Sequence, residues 1–318
     1  MTRLALIGYG NVARALARLL RKLRGPFPFR ITGIHTARHG TAVSARGLPI
    51  EPVFGPAAAS VEEFLDAAQA HIAVELTTLN PATGEPATSH IRAAFARRMH
   101  VVTANKGPLA HAYADLRDTA ARQGVEFRFE STVMDGAPVF NLVRSNLPCI
   151  NVLGFTGALN STSKLVIEAM ERGGSLEDGL AFARSLGVAE ANPSFDLEGW
   201  DSAAKTAALA NVLMDARTTP QAVSTRGITR LTPERVQELA RAGKTVRLIS
   251  RARRGPGGVT LRVRAEVLDK TDLLASVQGT SNLLLLHTDL MGTIGTVSIS
   301  PTVEQTAYGV FADLVDIV

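Results

Sequence analysis

Apolar and polar positions along the first 130 residues follow two periodicities in turn. Arg3-Leu4-Ala5-Leu6-Ile7-Gly8 is a short apolar run closed by glycine, and Val12, Leu16, Leu19, Leu20 and Leu23 follow at helical spacing, which predicts a strand and then a helix. Gly25-Pro26 ends that helix, and residues 29–34 read as a second strand. Further strand-like runs cover 71–76, 100–103 and 125–129, with helical patterns over about 61–69, 86–98 and 111–123 between them. Strands alternating with helices of this length predict an α/β fold on a parallel sheet covered on both faces.

Beyond residue 130 the rhythm changes. Helical patterns occupy 162–172, 176–186 and 201–214, followed by strand-like runs near 245–252, 258–267 and 284–299. Gly255-Pro256-Gly257-Gly258 suits a hairpin turn, and Ala307 to Val318 reads as a last helix. Helices followed by a run of strands predict an α+β second domain, and 318 residues are enough for two.

Composition narrows the classes. No stretch approaches the roughly 18 uncharged apolar residues of a membrane span, and the opening apolar run breaks off where a signal peptide would continue. A cytoplasmic protein with no membrane association is expected. Cys149 is the single cysteine, so neither an intrachain disulfide nor a thiolate metal cluster can form. Its neighbours Leu147, Pro148 and Ile150 predict a buried, inert thiol.

The net charge of +5 is local, because residues 1–50 carry nine basic residues and no acidic one. Aromatic residues make up 5% and do not interleave with the basic ones, which argues against a nucleic-acid partner. A local positive field suits a phosphorylated small molecule. Only six of the 34 basic residues are lysine. A lysine inside a motif is therefore read as required to be lysine.

Gly8-Tyr9-Gly10-Asn11-Val12-Ala13 fits the G-x-G-x-x-G/A pattern between the first strand and its helix. The first glycine makes the tight turn, the second lets backbone approach a pyrophosphate, and small Ala13 permits close packing of helix on strand. The helix N-terminus adds free N–H groups and a positive dipole end. The first domain is thus of Rossmann type. NAD sites usually carry an acidic residue about 20 or more positions downstream, on the ribose 2′-hydroxyl. Here none precedes Glu51, and the second strand ends in His35-Thr36-Ala37-Arg38-His39. Arg38 is suited to a 2′-phosphate, so NADP (NADPH) is expected in preference to NAD.

The remaining chemistry lies in segments after the strands. Val102-Thr103-Ala104-Asn105-Lys106-Gly107-Pro108 puts Lys106 at the carboxyl edge of the sheet, and Glu130-Ser131-Thr132-Val133-Met134-Asp135-Gly136-Ala137 follows the fifth strand. Gly157-Ala158-Leu159-Asn160-Ser161-Thr162 comes next, then an A-E-x-x-P-x-x-D-x-x-G-x-D-x-x-x-K stretch from Ala189 to Lys205. In this order the segments closely resemble homoserine dehydrogenase, over essentially the whole chain.

The resemblance implies an NAD(P)-dependent interconversion of L-aspartate 4-semialdehyde and L-homoserine, in threonine and methionine biosynthesis. It implies a dinucleotide-binding domain over 1–130, to which the last helix (about 304–318) returns. A domain over 131–303 would serve substrate binding, catalysis and dimerisation as a homodimer. Because the chain ends at the terminal helix, the regulatory C-terminal domain of many members is not expected. Thr77, Thr78, Thr103 and Lys106 would lie along the cofactor.

Asp201 and Lys205 stand four apart on a predicted helix and share one face. Alone they would read as a surface ion pair; inside the motif they read as catalytic. Lys205 would meet the alkoxide charge, with Asp201 orienting it. Lys106 is the second candidate proton donor, since a buried lysine, unlike an arginine, can act as acid and base near neutral pH. By resemblance Glu190 would hold the substrate ammonium, with Asp196 assisting, and Asn160, Ser161 and Thr162 would receive its polar end. Glu130, with oxygens of Val133, Asp135 and Ala137, resembles a monovalent-cation site for sodium or potassium; a turn without metal is the competing reading.

Two departures stand out. Where the family has a G-x-G-A-G segment near the C-terminus, this chain has Val297-Ser298-Ile299-Ser300-Pro301, keeping only Thr306-Ala307 and the following helix with Asp313. Ser161 replaces the glycine of the family's N-G-T-T. An oxidoreductase of the same architecture acting on another small aldehyde or amino acid, or a non-catalytic NADP-binding protein, shares the nucleotide loop. Retention of Lys106, Glu190, Asp201 and Lys205 argues against the non-catalytic reading, since pure binding would not need them.

Overall fold

A computed structural model describes residues 1–23, 25–189 and 193–318 of the chain. They form two compact units, Met1–Asn141 with Thr302–Val318, and Leu142–Pro301. In the first, β1 (Thr2–Ile7), β2 (Phe29–Thr36), β3 (Gly40–Val43), β4 (Ile72–Glu75), β5 (His100–Thr103) and β6 (Phe127–Arg128) make one sheet in the order β3-β2-β1-β4-β5-β6. The pairings are parallel except for β3, which turns back antiparallel onto β2. Every residue of β4 and the last four of β1 are buried, as in strands covered on both faces. The chain order reverses between β1 and β4, and their carboxyl ends mark the place where open α/β sheets bind ligands.

The helices of this unit are α1 (Asn11–Lys22), α2 (Val61–Ala68), α3 (Ala87–Ala96) and α4 (Lys106–Gln123). Helix α4 starts five residues before the pattern predicted, because Gly107-Pro108 reads as a breaker in sequence. The Asn105 side chain caps the helix by accepting from Gly107 N, and Pro108 sits in the first turn, where a missing N–H leaves no helical bond unmade.

The first compact unit runs to Asn141, and Glu130 anchors its end. Its carboxylate accepts from the backbone N–H groups of Val139, Phe140 and Asn141 at 2.6, 2.9 and 2.6 Å, tying that segment down.

In the second unit β7 (Val152–Ala158) is followed by α5 (Ser161–Glu171), α6 (Leu176–Ser185), α7 (Ser194–Leu197) and α8 (Trp200–Met214). Then come β8 (Ser224–Arg226), α9 (Pro233–Arg241), β9 (Lys244–Gly255), β10 (Gly258–Asp269), β11 (Asn282–Thr288) and β12 (Thr293–Ser298). The sheet order is β12-β11-β7-β9-β10-β8, antiparallel apart from β8 on β10.

Strand β7 was not legible because Gly154 and Gly157 interrupt its apolar run. A Cβ on Gly154 would lie 2.4 Å from the Ala252 carbonyl oxygen, so glycine is what lets β7 approach β9. Cys149 is exposed rather than buried, with φ +64. Its apolar neighbours misled because the segment turns at the surface.

Helix α10 (Val303–Ile317) belongs to the first unit, where Ala307, Val310, Phe311 and Leu314 share one core with Leu16 and Leu20 of α1. No described helix is long and apolar enough to cross a membrane.

Candidate active site

In the first unit the nucleotide loop is built as its spacing requires. Gly8 has φ +92, and its N–H donates to His35 O at 2.8 Å. A Cβ there would sit 2.6 Å from Leu76 O, so only glycine allows β1 to end against the end of β4. Gly10 caps α1, and a Cβ on it would meet nothing within 4 Å. Its backbone is open to the close approach of a pyrophosphate, and the first turn of α1, from Asn11 through Val12 and Ala13, carries no acidic side chain to repel one. These residues fit a dinucleotide.

The carboxyl end of β4 is organised by a residue the sequence reading missed. Glu75 is 1% exposed. It accepts from Thr77 N and Thr103 Oγ1, both at 3.0 Å, and from Thr77 Oγ1. Thr103 Oγ1 in turn accepts from Asn105 N at 3.0 Å, and Asn105 Nδ2 donates to Thr77 O at 3.2 Å. One buried carboxylate thus fixes Thr77, Thr103 and Asn105, and half-buried Lys106 begins α4 beside them. Thr78 is exposed at the same strand end. An acidic residue closing an apolar strand was the available signal.

Arg38 is exposed in the turn between β2 and β3. A second surprise lies nearby: Glu51, discounted by its distance in sequence, pairs with Arg14 of α1 at 2.9 and 3.0 Å. The Tyr9 hydroxyl donates to Ile50 O at 2.6 Å, so the segment after β3 folds back onto the nucleotide loop. Burial pushes the Tyr9 phenol up from its ordinary value, more than the Arg14 charge draws it down.

Glu130, Val133, Asp135 and Ala137 lie in one turn, in which the Glu130 carboxylate is held by backbone N–H groups. Both Glu130 oxygens accept backbone N–H groups, and its own N–H donates to the fully buried Asp313 carboxylate at 2.7 Å. Among the described residues no group of three or more His, Cys, Asp or Glu is arranged to hold a metal ion.

In the second unit residues 160, 161, 162, 196, 201 and 205 converge. Asn160 caps α5, its Oδ1 accepting from Ser163 N at 2.8 Å. Its Nδ2 bridges two carboxylates, donating to Asp196 Oδ1 at 2.6 Å and Asp201 Oδ2 at 3.0 Å. Lys205 Nζ lies 3.2 Å from Asp201 Oδ2 and donates to Leu159 O at 2.6 Å, with the two charged side chains 16% and 18% exposed. This is no solvated surface pair.

Burial raises the Asp196 carboxyl above its ordinary range and the Asp201 charge raises it further, against hydrogen bonds from Asn160 and Thr162 and the Lys205 charge. Ser161 Oγ donates to Thr280 O at 3.1 Å, so the serine in place of glycine bonds to the 279–281 segment. Glu190 lies outside the described residues. The arrangement supplies a sheltered ammonium beside the Leu159 carbonyl and the Asp201 carboxylate, suited to an oxygen that gains negative charge.

Comparison with known proteins agrees with both halves. The profile of the homoserine dehydrogenase NAD-binding domain matches residues 8–130, and that of homoserine dehydrogenase matches residues 138–315. The chain is 33% identical to the NAD(+)-dependent homoserine dehydrogenase of Pseudomonas canavaninivorans, covering 99% of this chain and 96% of that one. It is 32% identical to homoserine dehydrogenase of Methanocaldococcus jannaschii, over 98% and 97% of the two chains. The crystal structure of a putative homoserine dehydrogenase from Archaeoglobus fulgidus superposes with a TM-score of 0.88 at 29% identity, covering 100% and 99%. A hyperthermophilic archaeal homoserine dehydrogenase in complex with NADPH gives 0.84 at 25%, covering 99% and 97%.

Proposed function

Because the chain belongs to the homoserine dehydrogenase family, a family of nicotinamide-dependent oxidoreductases, we propose that Lys205 and Lys106 carry its interconversion of L-homoserine and L-aspartate 4-semialdehyde. The observation that supports this most is the sheltered Lys205 ammonium, held by Leu159 O and Asp201. In the reduction direction it meets the charge that grows on the aldehyde oxygen, and Lys106 and Lys205 are the two candidates for the proton donor. When bound, the nicotinamide supplies the hydride. Asp201 orients Lys205, and Asn160 keeps Asp196 and Asp201 side by side despite their charges. Glu190 receives the substrate ammonium, and Ser161 and Thr162 its polar end. On this reading the enzyme would serve threonine and methionine biosynthesis.

NADP is the preferred cofactor on the strength of exposed Arg38 at the end of β2 and the nine basic residues of positions 1–50. NAD is the second reading, favoured by the carboxylate of Glu51 beside α1 and by the NAD(+)-dependent relative. Equal kcat/KM for NADPH and NADH, unchanged by Arg38→Ala, would remove Arg38 from cofactor choice.

A homodimer is also proposed. Thr156, Arg251, Arg262 and His287 line a groove of about 1330 Å³ along the sheet of the second unit, and this is the face proposed for the second copy. Light scattering that gives a monomer mass at micromolar concentration refutes it. The activity is tested by NADPH oxidation with L-aspartate 4-semialdehyde against a panel of other small aldehydes. Absence of turnover on the semialdehyde would sink the reading.

A further inference from the structure

Glu75 closes β4 as a carboxylate only 1% exposed, although an apolar side chain would end the strand without the desolvation cost of a buried charge. Its oxygens are spent on neutral donors. Oε1 accepts from the Thr77 backbone N–H at 3.0 Å and from the Thr77 hydroxyl, and Oε2 accepts from the Thr103 hydroxyl at 3.0 Å. Glu75 and Thr103 are register partners in β4 and β5, and Ala104 N donates to Glu75 O at 3.3 Å. His90 Nδ1, from α3, stands 3.8 Å from Oε1, beyond hydrogen-bond reach.

Two routes lead from this carboxylate to the start of α4, and both end on Asn105. Thr103 Oγ1 accepts from Asn105 N at 3.0 Å, and Asn105 Nδ2 donates to Thr77 O at 3.2 Å. Asn105 Oδ1 then accepts from Gly107 N at 2.9 Å. The backbone is thereby held on both sides of Lys106. The single proton of the Thr103 hydroxyl is committed to a charged acceptor, which turns its lone pairs toward Asn105 N and strengthens that bond in turn.

We propose that Glu75 is a positioning residue of the reaction: its buried carboxylate sets the place of Lys106 by fixing, through Thr77 and Thr103, the Asn105 from which α4 starts. The proposal rests on Lys106 taking part in the reaction. A misplacement of a reacting group by about 1 Å can cost a factor of about a hundred in rate, so a rigid start to α4 has a kinetic consequence.

The test uses two substitutions. Glu75→Gln replaces one accepting oxygen by an NH2 group, so a donor loses its acceptor whichever way the amide turns. Thr103→Val keeps the volume and cuts the route through Thr103. Hydrogen exchange is followed on the cofactor-free protein over peptides spanning 104–108, and kcat is measured for each variant in the wild-type and Lys106→Met backgrounds. Exchange over 104–108 should quicken about tenfold while β1 and α1 keep their rates. In the wild-type background kcat should fall about tenfold. In Lys106→Met the same substitutions should cost less than about twofold, because the side chain they place is already gone. A residue with only a structural role would quicken exchange throughout the first unit and cost the same factor in both backgrounds.

Unchanged exchange over 104–108 in either folded variant overturns the proposal, and so does an equal loss of kcat in the two backgrounds. Thr103→Val carries the test by itself where Glu75→Gln does not fold. Wild-type turnover in Lys106→Met overturns instead the part given to Lys106, a different observation from an Asn105 that stays fixed without Glu75.

Discussion

Replacing Lys205 with Met keeps most of the side-chain volume and removes only the ammonium. At 3.2 Å from Asp201, with both groups four-fifths sheltered, the Coulomb attraction is about 5 kcal/mol at an effective dielectric of about 20, before desolvation is subtracted. The catalytic loss is a separate quantity. Removing one preorganised group from a developing oxyanion costs about 3–4 kcal/mol, or a factor of about 10²–10³ in kcat. The substitution also strips Asp196 and Asp201 of a counter-charge while Asn160 still holds them together, so the Asp196 carboxyl, already raised by burial and by Asp201, rises further. Initial rates in both directions at saturating cofactor, with circular dichroism to confirm folding, separate the effects. The expected result is a kcat at least about a hundredfold lower with KM for NADPH within about threefold. A folded variant within about tenfold of wild-type kcat would refute the assignment of Lys205 to the reacting oxygen.

Gly8→Ala should destabilise the protein by at least about 2 kcal/mol in urea unfolding, since positive φ costs about 1–2 kcal/mol and the new Cβ meets a backbone carbonyl; unchanged stability would mean that the turn relaxes freely. Asp196 has a raised pKa in the folded chain, so its ionisation opposes folding above that pKa, and the penalty fades as pH falls toward the ordinary carboxylate value. Asp196→Asn should accordingly raise the melting temperature at pH 7, by less at pH 4, while lowering kcat; a lower melting temperature at pH 7 contradicts this. With Glu130 satisfied by three N–H donors, activity should stay flat from sodium- and potassium-free buffer upward, and a saturable rise with either ion would establish a cation at that turn.

The sequence was legible wherever one local signal decided the structure. The strand 100–103 and the span of α8 follow from apolar runs and helical spacing, and Gly8 and Gly10 from the geometry of a nucleotide turn. Partnerships were not legible. That Asn160 joins Asp196 to Asp201, or that Glu75 fixes Thr77 and Thr103, depends on which strand ends become neighbours, and no local pattern encodes that. Breakers misled twice. Pro108 reads as a stop yet sits in a first turn, and Gly154 reads as a gap in a strand yet exists because β9 comes so near. Glu51 shows the limit of counting: a rule based on about 20 residues of separation passed over a carboxylate that a loop brings back to α1.

The first unit is interrupted, since its last helix follows the whole of residues 142–301. During synthesis Leu16 and Leu20 emerge long before Phe311 and Leu314, their partners in the core, and Glu130 waits 183 residues for Asp313. The later unit is contiguous and can close first. Order of translation and order of completion are therefore reversed: the nucleotide-binding unit begins the chain but is the last to finish, and a nascent chain stalled before residue 302 would display an apolar flank to chaperones.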